Sequence, residues 1–158
     1  MNLEKLFAMQ KELDEYIARL HPPEPGERRI YSKVLALLVE IGELANETRC
    51  FKFWSVKPPA PRERILEEAA DVLHFLLSIG NDAGAEPKSV LPRKKENLTE
   101  QLLRFYCDAQ LCYVKEQWSW VFALYLGLID MLGFTWDEIE VAYMQKHAEN
   151  IARQERGY

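Results

Sequence analysis

Three features of the 158-residue chain predict an all-α fold, a bundle of about five to six helices. Apolar residues recur at spacings of three and four through most of the length, no stretch shows the period-two alternation of a half-buried strand, and helix breakers cluster between the periodic segments. No segment repeats at a fixed period of roughly 20 to 50 residues, so a stacked-repeat architecture is not expected. With 48% hydrophobic and 28% charged side chains, residues 1–158 are expected to form a single domain with enough chain to bury a core.

Leu3, Leu6, Phe7, Leu13, Ile17 and Leu20 carry helical spacing over 2–20, and His21-Pro22-Pro23-Glu24-Pro25-Gly26 ends it. A second helix is expected over 27–50, with Val34, Leu37, Ile41 and Leu44 as its core stripe. Pro58-Pro59-Ala60-Pro61 then forbids a continuous helix, because proline fixes φ and lacks a donor, so a third helix over 62–82 can fold back antiparallel. Asn81-Asp82-Ala83-Gly84 supplies its left-handed cap. The stretch 86–95 carries Pro87, Pro92 and Arg93-Lys94-Lys95 and reads as a solvated loop. Residues 97–132 keep helical spacing for longer than one ordinary helix, which predicts a break near 115–118. Gly133 stops that run. Thr135-Trp136-Asp137-Glu138 fits a capping box, in which the threonine hydroxyl and the glutamate carboxylate each satisfy an orphan backbone donor, and opens a last helix over 136–154. Tyr106, Trp118, Trp120, Phe122 and Tyr125 are assigned to the core, with a subunit interface as the alternative.

The formal charge of −5 and pI near 5.3 argue against a nonspecific partner among nucleic acids or acidic membranes, while a small anionic substrate stays open. Cys50, Cys107 and Cys112 are odd in number and lack metal-type spacing, so free thiols are expected. The amino terminus has no basic region followed by an apolar run, so no signal peptide is expected and the cytoplasm is the expected compartment. The most apolar window, 118–132, is shorter than a bilayer span and contains Asp130, so no transmembrane segment is predicted.

Chemistry concentrates in two acidic segments. Residues three and four apart share a helix face, which groups Glu40 with Glu43 and Glu47, and Glu68 with Asp71. Both groups border the apolar stripes of their helices instead of opposing them. Carboxylates at the rim of a core are costly unless something cationic meets them, and oxygen-only donors favour a hard cation such as Mg²⁺ or Mn²⁺ over zinc. Such an ion shares its remaining positions with substrate phosphates, which points to a phosphorylated substrate. Taken alone, Glu-x-x-Glu is weak, since exposed helix faces are rich in glutamate. Near the carboxyl end, Lys146, Asn150 and Arg153 at i, i+4 and i+7 lie within about 60° on one face. A cation, an amide and a guanidinium fork suit phosphate oxygens and a sugar. An ordinary basic final turn, favoured by the helix dipole, is the competing account.

Glu40-x-x-Glu43 followed by Glu68-x-x-Asp71 resembles the signature of the all-α nucleoside triphosphate pyrophosphohydrolases, a superfamily that includes the MazG-like proteins. Asp71-Val72-Leu73-His74-Phe75-Leu76-Leu77-Ser78, together with Lys146-His147-x-x-Asn150-x-x-Arg153-Gln154-x-x-Gly157-Tyr158, is similar to its dimeric dUTPase branch, from the first helix to the last residue. The resemblance implies a homodimeric, Mg²⁺-dependent hydrolase with two or three ions, Mn²⁺ being a possible substitute. It would convert dUTP, and dUDP as well, to dUMP. Glu40, Glu43, Glu68 and Asp71 would hold the metal, with Glu40 orienting the attacking water and Glu40 and Glu43 counted as catalytic. Lys146, Asn150, Arg153 and Tyr158 would contact phosphates and deoxyribose, and Lys52 a phosphate. Trp54 and Phe75 would hold the uracil and Gln10 would read its edge. Family members often place an asparagine shortly after that glutamine, where this chain has Leu13 and Asp14. The alternatives are a dCTP-specific or broader pyrophosphohydrolase on the same fold, a di-iron carboxylate bundle, for which only Asp71-x-x-His74 comes near the required Glu-x-x-His, and a noncatalytic nucleotide-binding partner.

Overall fold

Six helices and no strand are found among the described residues, 2–86 and 88–157 of a computed structural model. They are α1 (Leu3–Leu20), α2 (Arg29–Thr48), α3 (Arg62–Ala83), α4 (Leu98–Ala109), α5 (Lys115–Met131) and α6 (Trp136–Glu155). α3 is the element the others surround, packing against α1, α2, α5 and α6. From residue 68 to residue 80 no α3 side chain is exposed, and Ala69, Ala70 and Gly80 keep the flanking helices close. α2 and α3 run antiparallel. Lys33 near the start of one meets Asp82 near the end of the other at 2.6 Å, while Ala60 N–H, just ahead of α3, donates to Glu47 C=O near the end of α2 at 2.9 Å.

The aromatic residues divide by helix face. Trp118, Phe122 and Tyr125 of α5 are fully buried, with Trp118 stacked on Phe122 at 4.8 Å and met edge-on by Phe7 at 5.2 Å. Their polar atoms are satisfied: Trp118 Nε1–H donates to Leu76 C=O at 2.8 Å and Tyr125 O–H to Ala69 C=O at 2.9 Å. Tyr106 is exposed, and Trp120 lies at the margin with its N–H on Asp108 and the Arg93 guanidinium over its ring.

Three boundaries differ from the sequence expectation. The break between α4 and α5 falls at 110–114, ahead of the expected 115–118. Trp118, Phe122 and Tyr125 reach the core at i, i+4 and i+7, a phase that requires the helix to be running already at Lys115. α2 starts at Arg29 because the Glu27 carboxylate folds back onto Glu24 N–H at 2.9 Å and Arg29 Nε at 3.0 Å. It ends at Thr48 because Arg49 turns left-handed with φ of 57°. That costly backbone position is offset by the Arg49 guanidinium, which bonds Ser55 Oγ at 2.6 Å and Lys57 C=O at 3.2 Å and so fixes the loop ahead of Pro58. The other two terminal signals are present as expected: Gly84 caps α3 with φ of 67°, and Thr135 and Glu138 form the full capping box.

The strap ahead of α4 is locked by Gln101, which is fully buried. Its Nε2 donates to Arg93 C=O at 2.8 Å and Leu124 C=O at 2.7 Å, and its Oε1 accepts from Lys95 N–H at 2.7 Å. Arg93 C=O thereby lies directly over Gly127 of α5. No single helix among the described residues is long and apolar enough to cross a membrane.

Candidate active site

Glu40 of α2 and Glu68 and Asp71 of α3 each offer a carboxylate oxygen, and these oxygens lie within 4.8 Å of one another. The grouping follows from the local sequence. α2 buries Leu37, Ile41 and Leu44 and α3 buries Ile65, Ala69 and Val72, and the acids flanking those stripes meet where the helices pack. Glu68 is 2% exposed; one of its oxygens pairs with Arg64 on the preceding turn, and the other, Oε2, is buried without a hydrogen-bond partner. A buried carboxylate oxygen with nothing to meet it is expensive. Three hard oxygen donors around it fit a divalent cation.

α6 supplies the opposite wall. Lys146 Nζ reaches Asp71 Oδ2 at 2.7 Å, Arg153 is held by Glu149 at 2.5 Å, and Glu149 lies 4.0 Å from Lys146. Asn150 lies between them on the same cleft. Glu43 is exposed and stands outside the tight trio of acids, yet it lines the same cleft and its charge is felt by Glu40 and Glu68. The cleft encloses about 1160 Å³, sized for a nucleotide.

Burial, followed by the like charges of Asp71, Glu43 and Glu68, pushes the Glu40 carboxyl up to about 7. Burial also raises Glu68, against the opposing pull of Arg64, and raises Asp71, against that of Lys146. All three carboxyls therefore hold their protons to higher pH than free ones do, and a cation that offsets their mutual repulsion competes with those protons.

Phe75 is half-buried on the cleft wall. Gln10 is buried, and its amide is engaged: Nε2–H donates to Asp14 Oδ1 at 2.8 Å, while Oε1 accepts from Tyr143 O–H at 3.0 Å and lies 2.8 Å from His74 Nδ1. His74 stacks on Tyr143 at 4.1 Å and its Nε2 lies 3.3 Å from Tyr143 C=O. Burial lowers His74 to about 3, so the ring is neutral, and the shorter contact assigns its single proton to Nδ1. His74 steadies Gln10 and stands outside the carboxylate group.

Lys52 and Trp54 do not line the cleft. Trp54 is 66% exposed against Phe51 and Phe53, and Lys52 bonds Asn46, because the Arg49 turn aims their loop away from α3. Tyr158 lies outside the described residues. Sequence reasoning passed over Arg64, legible as an i, i+4 partner of Glu68, and Glu149, legible the same way for Arg153. It named Asp14 but passed over its partner Lys33, and Asp82 beyond, because the three come from separate helices and leave no spacing to read.

A helical bundle with three carboxylates converging beside a lysine, an amide and an arginine, in a cleft of nucleotide size, has the donor set of a protein that takes a divalent cation and a phosphorylated small molecule. The comparison with known families gives the particular one: the dUTPase family matches residues 2–158, and the chain belongs to that family. No curated protein matches it. The chain is accordingly a dUTP diphosphatase, and the family together with the acidic trio indicates a divalent metal.

Proposed function

We propose that residues 1–158 form one catalytic domain that hydrolyses dUTP, and dUDP, with Mg²⁺ as the cofactor and Mn²⁺ able to replace it, two or three ions being held. The observation that carries this reading is the meeting of Glu40, Glu68 and Asp71 across from Lys146 in one cleft. Glu40, Glu43, Glu68 and Asp71 are the proposed ligands. When bound, Mg²⁺ offsets phosphate charge and makes water a better nucleophile near neutral pH.

The chain's own groups do the rest. Glu40, placed on α2 facing Glu68 and Asp71, is suited to orient the attacking water and take its proton. Lys146, Asn150 and Arg153 bind phosphate oxygens and deoxyribose, and Tyr158 extends that set. Phe75 supplies an apolar wall for uracil, with Gln10 at its edge. Lys52 and Trp54 are proposed contacts of a loop outside this chain's own cleft. The products are dUMP and pyrophosphate, or phosphate from dUDP. Turnover of dUTP, dUDP, dCTP, dTTP and UTP with Mg²⁺, and again with chelator, tests the reading. We expect dUTP to be preferred and chelator to abolish turnover; preference for dCTP or for all bases alike would establish the broader pyrophosphohydrolase instead.

We further propose a cytoplasmic homodimer. Tyr31, Leu35 and Val39 form an exposed apolar stripe on α2, beside the acidic face, and Leu103 and Tyr106 of α4 are exposed around a groove that also includes Gly42 and Phe51. Apolar surface of this kind on a small domain suits a second copy. Leu35→Glu, at a position 63% exposed in the chain, is expected to turn the dimer into a monomer in sedimentation while preserving the helical circular dichroism. A Leu35→Glu protein that still sediments as a dimer would remove this face from the interface.

A further inference from the structure

Arg64 stands in the first turn of α3, where the positive end of the helix dipole disfavours a cation. What its fork holds accounts for its position. Nη1 meets Glu67 Oε2 at 2.8 Å and Nη2 meets Glu68 Oε1, so one planar guanidinium ties an exposed acid to a buried one. Glu67, then Glu68, and from α2 the charge of Glu47 hold that guanidinium in its ionised form. Arg64 lines the cleft with its side chain 48% exposed, whereas that of Glu68 is 2% exposed.

The bond divides the two oxygens of Glu68. Oε1 faces the guanidinium, and Oε2 is the buried atom without a hydrogen-bond partner. The carboxylate is thereby held in one orientation with a single oxygen left over. Asp71 is restrained in the same manner: Lys146 Nζ meets its Oδ2 at 2.7 Å, which leaves Oδ1. Two of the three converging acids thus offer one oxygen apiece. Such a set suits Mg²⁺, which takes single carboxylate oxygens at octahedral positions and keeps waters on the others. Ca²⁺ is larger, gathers about six to eight oxygens and gains from a carboxylate that gives both.

We propose that Arg64 is a positioning residue that sets the cation preference of the site: by covering Oε1 it makes Glu68 a one-oxygen ligand, which suits Mg²⁺ and denies Ca²⁺ a second oxygen. The assignment rests on the reading of the acidic trio as a metal site. Groups that stand behind a metal ligand fix its orientation, and their loss typically changes metal affinity by about ten- to a hundredfold. Without Arg64 the Glu68 carboxylate is free to turn about its last bond and present both oxygens. An oriented single donor is then lost to the smaller ion, and a two-oxygen donor is gained by the larger.

The test is calorimetric binding of Mg²⁺ and of Ca²⁺, added as chlorides without nucleotide, to the full chain, to Arg64→Met and to Arg64→Lys. A pH of about 8 keeps protons from competing for the carboxylates. The readout is the ratio of the Mg²⁺ to the Ca²⁺ association constant, which a purely structural role would leave alone. Arg64→Met should lower that ratio by about tenfold. Arg64→Lys should keep it within about threefold of the parent's, because an ammonium still covers Oε1. Thermal melts identify a variant that has not folded; if Arg64→Met is one, Arg64→Ala takes its place, alanine being the best helix former. A ratio that the neutral variant leaves within about twofold of the parent's, with both affinities moving together, shows that Arg64 acts by charge alone and overturns the proposal. An Arg64→Lys protein with the ratio of Arg64→Met does the same. A parent that binds neither ion strikes the metal reading of the trio itself, and this proposal with it, so the two failures are told apart.

Discussion

Glu40→Gln is expected to lower kcat/KM for dUTP by about a thousandfold while raising the Tm of the metal-free protein at alkaline pH. The two effects share one cause. Glu40 is held near 7 in the fold, above its unfolded value of 4.5, so the fold disfavours its ionised form. The stability this group contributes is fully present below pH 4.5 and is lost as pH rises through about 7. Glutamine has the shape of the protonated acid and escapes that loss. In chelator the variant should therefore melt above the parent at about pH 8 and converge with it near pH 4.5. Mg²⁺ should raise the parent's Tm more at about pH 8 than at about pH 5.5, since cation and proton compete for the same oxygens, and should raise the variant's less. Melts at the two pH values with and without Mg²⁺, alongside turnover, check all of this. A variant that melts below the parent in alkaline chelator, or turns over dUTP normally, contradicts the role given to Glu40.

Gly127→Ala should destabilise the fold by about 3 kcal/mol, a fall in Tm of about 6–12 °C. In an open helix the same change stabilises by about 1 kcal/mol. Here an added Cβ would stand 1.9 Å from the Arg93 carbonyl oxygen and 2.5 Å from its carbon, with Gln101 Nε2 at 3.0 Å. The obstacle is backbone, so no rotamer change relieves it. The strap must lift, which breaks the bonds of a fully buried Gln101 and leaves that amide unsatisfied. Since α2, α3 and α6 carry the proposed catalytic groups, kcat well below the new melting point should be close to the parent's. Denaturant unfolding gives the first quantity and turnover the second; a Gly127→Ala protein as stable as its parent would show that the strap moves freely.

Much of this was legible in the chain because it is written in short-range spacing. The Leu37-Ile41-Leu44 stripe, the Glu40 and Glu68-x-x-Asp71 positions beside it, the Thr135 capping box and Gly84 each depend on neighbours within about one or two turns, where helical geometry is fixed in advance. The α4 to α5 break was displaced because burial of Trp118, a tertiary demand, decided where α5 had to begin. Glu43 was expected among the acids and stands apart from the tight trio, since helical phase places a residue on a face without saying how far its side chain reaches. Lys52 and Trp54 were expected beside the base; the left-handed turn at Arg49 sends their loop elsewhere, and nothing in an arginine advertises positive φ. The Asp14, Ser78 and Lys33 meeting joins three helices, and only the packed fold makes it visible.

α3 has a consequence for how this protein can change over generations. A helix on the outside of a bundle ordinarily keeps one side where mutations pass without effect. Between residues 68 and 80 this one has none: Glu68, Asp71, His74, Phe75 and Ser78 line the cleft, and the rest are wedged among four other helices. Drift has to be accommodated on the periphery, along α4 and the proline-rich connections, while a thirteen-residue stretch at the centre answers to folding and to the lining of the cleft at once.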